Sequence, residues 1–221
     1  MSKYLVVLSG GLDSTTCLAK TIHDHGVESV GTVTFDYGSK HNAIENAAAA
    51  TIAVEYGVKH GLFIQLPFIS EHFKSNLLAS GGDIPEGHYE DETMKQTVVP
   101  FRNGIMLSIA AGLAASHGYT HLVLGSHLGD HAIYPDCRSE FVRAMRDAIK
   151  LGTWNGIEVT FPVQELDKAG VVKLAHSLGV PFGLTHTCYN GTRPPCGKCG
   201  ACQERAEAFA LNGLTDPLVS Q

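Results

Sequence analysis

The sequence predicts an α/β protein: a doubly wound parallel sheet with helices on both faces, carrying a small cysteine-rich region near its C-terminal end. Three observations predict it. Short apolar runs alternate with stretches of helical period, which is the succession of a parallel sheet. The first run empties directly into a turn of glycine and serine, and four of the six cysteines crowd into residues 188–202.

Taken in order, Tyr4 to Leu8 is an apolar run and Thr16 to His25 is helix-forming. Ser29 to Phe35 is rich in valine and threonine and reads as a second strand. From Asn42 to Tyr56, residues Ile44, Ala48, Ile52 and Tyr56 recur four apart, and Gly57 supplies a stop. His60 to Leu66 is the third strand. The period then fails from Ser80 to Val98, where Gly81, Gly82, Pro85 and Gly87 sit among acidic residues. A loop of that length inside a compact domain is expected to serve as a mobile flap over the substrate. Asn103 is placed to cap a helix burying Met106, Ile109, Ala110 and Leu113. A fourth strand, His121 to Gly125, leads through a loop to a helix over Ser139 to Lys150. A fifth strand follows at Ile157 to Phe161. Asp167 caps a helix closed by Gly179 and Pro181, and a last short helix begins near Gln203.

Bulk composition narrows the function. At 221 residues, 44% hydrophobic and 17% charged, the chain buries one sizeable core. Residues 1–182 are expected to form the main domain and residues 183–221 a tail packed on it. No apolar run approaches the roughly 20 residues of a membrane span, and the N-terminus lacks a signal peptide's longer apolar region, so a cytoplasmic protein is expected. The net charge is −6 and the basic residues are scattered, which disfavours a nucleic-acid footprint and favours a small-molecule substrate.

The turn Ser9-Gly10-Gly11-Leu12-Asp13-Ser14-Thr15 brings backbone N–H groups and a helix N-terminus to one point, which suits a phosphate chain. It lacks the lysine that a Walker A loop places on the phosphate to be cut. Hydroxyls of Ser9, Ser14 and Thr15 take that place, so the loop suits a pyrophosphate that leaves as a unit. Asp13, like-charged with phosphate, is left to hold magnesium or to cap the helix.

In a doubly wound sheet, ligands lie beyond the carboxyl ends of the strands. The polar residues there are Ser9 to Ser14, Asp36 and Tyr37, the Arg102 region, the loop from Ser126 to Arg138, and the segment around Lys168. Lys168 begins a helix, where a cation opposes the dipole and calls for an anionic partner such as phosphate. Cys188, Cys196, Cys199 and Cys202 follow C-x7-C-x2-C-x2-C. Four thiolates match a closed, structural zinc site, in preference to an iron–sulfur cluster or redox thiols. His127 and His131, with Asp130 between them, would form a second metal site only on a helix. Gly129 and Pro135 favour a loop, in which these residues line a pocket or meet solvent.

Together these pieces resemble the QueC family of 7-cyano-7-deazaguanine synthases. The first carries the S-G-G-x-D-S-[TS] pattern of the PP-loop of ATP pyrophosphatases: Leu8-Ser9-Gly10-Gly11-Leu12-Asp13-Ser14-Thr15-Thr16-Cys17-Leu18. The others are Val33-Thr34-Phe35-Asp36-Tyr37-Gly38 with His41, Pro100 with Arg102-Asn103, Tyr134-Pro135-Asp136-Cys137-Arg138, Asp167-Lys168-Ala169, and Thr187-Cys188-Tyr189-Asn190-Gly191 with the three later cysteines. The resemblance implies an adenine-nucleotide alpha-hydrolase-like sheet and an ATP-dependent ligase. It would join 7-carboxy-7-deazaguanine and ammonia into the nitrile through an acyl adenylate and an amide, on the pathway to queuosine. It also implies that residues Leu8 to Leu18 bind ATP and that Asp13, Ser14, Arg102 and Lys168 act in catalysis with Mg2+. Asp36, Tyr37, Arg102, Asn103, Asp130, Tyr134, Asp136 and Arg138 would bind the substrate, Asp136 and Arg138 taking its guanine-like edge and carboxylate. A homodimer is implied as well.

Two segments depart from the family pattern. Phe101 stands where a small residue is usual, and Gly125-Ser126-His127-Leu128-Gly129-Asp130-His131-Ala132-Ile133-Tyr134-Pro135-Asp136 replaces a G-x-x-E-T-D-F-S-G-Y-P-D run. They leave open an enzyme that stops at the amide or passes the adenylate to another amine. A PP-loop enzyme inserting sulfur into a transfer RNA base is the first rival, with Cys137 as its thiol. A non-catalytic nucleotide-sensing module whose cysteines bind a nucleic acid or protein is the second.

Overall fold

A computed structural model describes residues 3–89, 91–127 and 133–219. Five parallel strands form one sheet in the order β3-β2-β1-β4-β5. These are β1 (Tyr4–Val7), β2 (Val30–Asp36), β3 (Gly61–Gln65), β4 (His121–Val123) and β5 (Glu158–Thr160). Every residue of β1 is buried. A central parallel strand covered on both faces needs an unbroken apolar run, which Tyr4 to Leu8 supplies.

Alternation along β1 divides the core in two. Leu5 and Val7 face one layer, with Leu107, Ala110 and Ala114 of α4 (Arg102–Ser116) and Ile149 of α5 (Ser139–Gly152). Tyr4, Val6 and Leu8 face the other. There they meet Leu18 of α1 (Leu12–His25), Ile52 of α2 (Asn42–Glu55), Val171 of α6 (Lys168–Ser177) and Phe209 of α7 (Gly200–Leu211). A short α3 (Pro67–His72) follows β3. The doubly wound expectation and the succession of elements therefore hold. The third run is an edge strand that leaves Phe63 exposed, so the interior is centred on β1.

Two local expectations change. Asn103 does not cap α4: Phe101 occupies that position in the left-handed region, at φ 55°, and Asn103 sits inside the first turn. The carboxylate that serves this helix end is Asp136, whose Oδ2 accepts the Asn103 N–H at 2.8 Å. The described residues between Ser80 and Val98 form a packed strap and not a free flap. Met94 and Thr97 are fully buried, Glu86 bridges to Cys199, and Gly87 donates to the Lys198 carbonyl. Asp167 does cap α6, accepting from the Gly170 N–H at 2.7 Å.

The tail wraps back over the carboxyl ends of the strands. His186 donates its backbone N–H to the Gly10 carbonyl at 2.9 Å, and α7 packs along α6. Arg205 of α7 is buried and paired with Asp216 at 2.7 Å, with a further bond to Thr185. Breaking one partner of such a buried pair costs about 3–5 kcal/mol because the other charge is stranded.

Candidate active site

One cavity, with 1210 Å3 of empty space open to solvent, lies at the carboxyl ends of β1, β2 and β4. Its floor at one end is the turn after β1. Gly10 adopts φ +84°, and a Cβ there would stand 2.5 Å from the Glu45 carbonyl oxygen, so only glycine lets this turn pack on α2. The serines close on each other: Ser9 Oγ lies 3.0 Å from Ser14 Oγ, and Ser9 Oγ also accepts the Gly11 N–H at 3.2 Å. Ser9, Gly11, Leu12, Asp13 and Ser14 line the cavity.

The later residues of the motif do not face it. Thr15 and Thr16 are fully buried and return their hydroxyls to the Gly11 and Leu12 carbonyls, while Cys17 and Leu18 belong to the core. Once α1 begins at Leu12, its first turn carries these side chains down onto the sheet. The expectation that Thr15 offers its hydroxyl to phosphate is corrected accordingly. Gly11, not Asp13, occupies the N-cap position of α1.

Asp13 instead meets Lys168, whose Nζ lies 2.9 and 2.8 Å from its two carboxylate oxygens. Lys168 is also 3.4 Å from Glu204 of α7 and 3.2 Å from Nε2 of His127. The anionic partner expected for Lys168 is thus a carboxylate of the chain. Burial pushes the Asp13 carboxyl up, but the charges of Lys168 and His127 outweigh it and hold the group below its ordinary value. His127 is fully buried in this network and does not meet solvent. Asp130 and His131 lie outside the described residues.

The opposite end is aromatic with one cation. Arg102 donates to the Tyr37 hydroxyl at 3.2 Å and stands 5.6 Å from that ring's centroid. Burial disfavours the guanidinium charge, but Tyr37 and Asp136 outweigh it and raise its pKa, so it is a cation at every relevant pH. Tyr134 bonds to the Thr97 and Tyr189 hydroxyls at 3.0 and 3.3 Å. Asn103 donates from Nδ2 to the Cys137 thiol at 3.1 Å.

Three proposed substrate ligands stand elsewhere. Asp136 is buried against the Asn103 backbone and does not line the cavity. Arg138 is exposed at the turn before α5, and Asp36 accepts from the Gly38 N–H. Conversely, the cavity brings in His41, Glu45, Tyr89, His186 and Glu204, to which the sequence reading assigned no ligand. Spacing alone could have found Glu45, four residues after His41 on one face of α2.

His41 Nε2 lies 3.3 Å from Glu45 Oε2, and His186 donates from Nε2 to the Cys188 carbonyl at 2.8 Å. Burial would raise the Glu45 carboxyl, but His41, His186 and Arg102 hold it below its ordinary value.

Among the described residues, Cys188, Cys196, Cys199 and Cys202 are the one group of three or more histidine, cysteine and acidic side chains close enough together to hold a metal ion. Their Sγ atoms all lie within 4.8 Å of one another, with Cys199 to Cys202 at 3.4 Å and Cys196 to Cys202 at 3.9 Å. Cys199 occupies the N-cap position of α7, so the cluster fixes the start of the helix that delivers Glu204 to the cavity.

The fold and the cavity define a parallel α/β protein whose glycine–serine loop, lysine and carboxylates meet beneath a cysteine-pinned tail. The chain belongs to the QueC family: the family model described as queuosine biosynthesis protein QueC matches residues 3–213. A 7-cyano-7-deazaguanine synthase of Porphyromonas gingivalis (strain ATCC 33277) is 48% identical over 213 residues, covering 96% of this chain and 94% of that protein. One from Methanoregula boonei is 45% identical over 98% of both chains. Among solved structures, the U34-tRNA thiolase NcsA from Methanococcus maripaludis with its [4Fe-4S] cluster matches with a TM-score of 0.54 at 15% identity. That match covers 96% of this chain and 64% of that one. It shows the shared fold.

Proposed function

We propose that this chain is an ATP-dependent ligase that converts 7-carboxy-7-deazaguanine and ammonia into 7-cyano-7-deazaguanine. The observation that carries the reading is the meeting of the lysine-free Ser9 to Ser14 loop with Lys168 in one cavity, in a chain 48% identical to a synthase of that name. A carboxylate resists attack by an amine, so activation has to come from ATP. The loop amides and the Ser9 and Ser14 hydroxyls are placed to hold the two phosphates that leave together. Lys168 balances their developing charge, and Asp13 and Glu204 are the carboxylates placed to hold Mg2+. Arg102 and Tyr37 are assigned to the deazaguanine end, with Tyr134 beside them. Ammonia then displaces AMP to give the amide, and a second activation at the amide oxygen permits elimination to the nitrile.

The cysteine cluster fits zinc. Four thiolates at about 2.3 Å from one ion stand about 3.8 Å apart, close to the separations here. A cubane holds one iron behind each thiolate and needs wider spacing. With all four positions filled by sulfur the ion would be structural, and Cys188, Cys196, Cys199 and Cys202 would hold it so as to tie the tail, residues 183–221, to the main domain. No described helix is long and apolar enough to cross a membrane. A cytoplasmic homodimer acting on a free small molecule is our reading.

The test is the mass of the product formed from ATP, ammonium and the carboxylated deazaguanine. The nitrile supports the reading. The amide alone would place the departures at residues 126–133 and Phe101 in control of the outcome. Turnover only with RNA and a sulfur donor would overturn it in favour of base thiolation.

A further inference from the structure

The cavity wall at the start of α2, where that helix packs on the Gly10 turn, holds a group that the adenylation chemistry does not use. His41 is 3% exposed and lines the cavity, and its Nδ1 is buried with no hydrogen-bond partner among the described residues. An orphaned buried ring nitrogen is costly unless a ligand completes it. Its tautomer follows from its neighbour: Nε2, 3.3 Å from the Glu45 carboxylate, carries the proton, which leaves a lone pair on Nδ1. His186, 6.3 Å away ring to ring, gives its Nε2 proton to the Cys188 carbonyl and likewise keeps a lone pair on Nδ1. Glu45 is an anion in the same wall. The wall therefore presents ring acceptors and a carboxylate, which suits a small cation with several N–H donors.

We infer that His41 and Glu45 form the subsite for ammonium, the second substrate, and that His41 Nδ1 takes the proton that frees its lone pair. The inference rests on the ligase reading. In the step, one N–H bond of ammonium breaks and its proton moves to Nδ1. The nitrogen lone pair attacks the acyl carbon, and the bond from that carbon to the AMP oxygen breaks with its electron pair on the phosphate. The second proton shed by the nitrogen goes to that phosphate or to water. Glu45 acts as a positioning residue by fixing the His41 tautomer and stabilising the imidazolium.

The discriminating experiment supplies either ammonium chloride with the acid or the preformed carboxamide of 7-deazaguanine, each with ATP. The carboxamide needs no ammonia to reach the nitrile. His41→Gln and Glu45→Gln are expected to raise KM for ammonium at least tenfold, to leave KM for ATP within twofold, and to raise the ratio of carboxamide-dependent to ammonium-dependent turnover at least tenfold. Glu45→Asp is expected to recover part of the ammonium KM, and unchanged cysteine-bound metal content reports an intact fold. An unchanged ammonium KM, or equal losses with both substrates, overturns the inference. Failure of the ligase reading would show already in the wild-type protein, as absence of AMP with the acid and ammonium.

Discussion

At the loop end of the cavity, charged groups neutralise one another. Asp13 pairs with Lys168, Lys168 with Glu204, and the Ser9 and Ser14 hydroxyls share a bond. At the α4 end, one guanidinium lies against tyrosines, and its countercharge, Asp136, is turned away to serve a helix terminus. On the proposed reading, the first end would offer its cation and carboxylates to an incoming anion and metal. The second is a fixed aromatic wall that selects by shape. On the proposed ligase reading, the difference separates an end suited to a charged, departing group from one suited to a planar, retained group.

Removing a metal held by the cysteine cluster is expected to break both ends at once, because the cluster begins the helix that carries Glu204 and stands beside Tyr189, which bonds to Tyr134. Chelation, or Cys199→Ser, is expected to abolish turnover and lower the melting temperature by more than 10 °C, since metal-binding energy at such a site is folding energy. Calorimetry with and without zinc checks it. An unchanged melting temperature would show that the tail stands without its ion.

Lys168→Gln attacks the loop end alone. It removes a cation aimed at developing charge, and kcat is expected to fall about 10²–10³-fold, roughly 2.7–4 kcal/mol. Binding of the deazaguanine acid, read by calorimetry, should change little. Tyr37→Phe attacks the other end. Losing the hydroxyl that accepts from Arg102 is expected to raise KM for the acid about tenfold, about 1.4 kcal/mol, with KM for ATP unchanged. Equal effects of the two substitutions on both substrates would dissolve the comparison.

The smallest effect concerns acid. The folded-state pKa of Asp13 lies below its unfolded value of about 3.8, so its contribution is fully present above that value and fades as pH falls through the folded one. Asp13→Asn is therefore expected to flatten the stability profile below pH about 4, measured by denaturant midpoints, by no more than about 1 kcal/mol for a partly exposed pair.

The loop end was legible because its residues are contiguous and the apolar run before them orients the turn. Even there, the resemblance implies that Thr15 to Leu18 bind ATP, while the helical period turns their side chains away from the cavity. Glu204 was hidden, since its role depends on the cysteine cluster starting α7 three residues earlier than the helix expected near Gln203. At the α4 end, the resemblance implies that Asp136 binds the substrate. Its true neighbour, the Asn103 N–H, is set by two segments 33 residues apart approaching each other, which no local pattern records.

The fate of the phosphates bears most directly on the whole account. Phosphorus NMR of the reaction with ATP, ammonium and the carboxylated deazaguanine should show AMP and pyrophosphate in equal amounts. ADP and inorganic phosphate as the first products would mean that the Ser9 to Ser14 loop does not release two phosphates as a unit, and would contradict it.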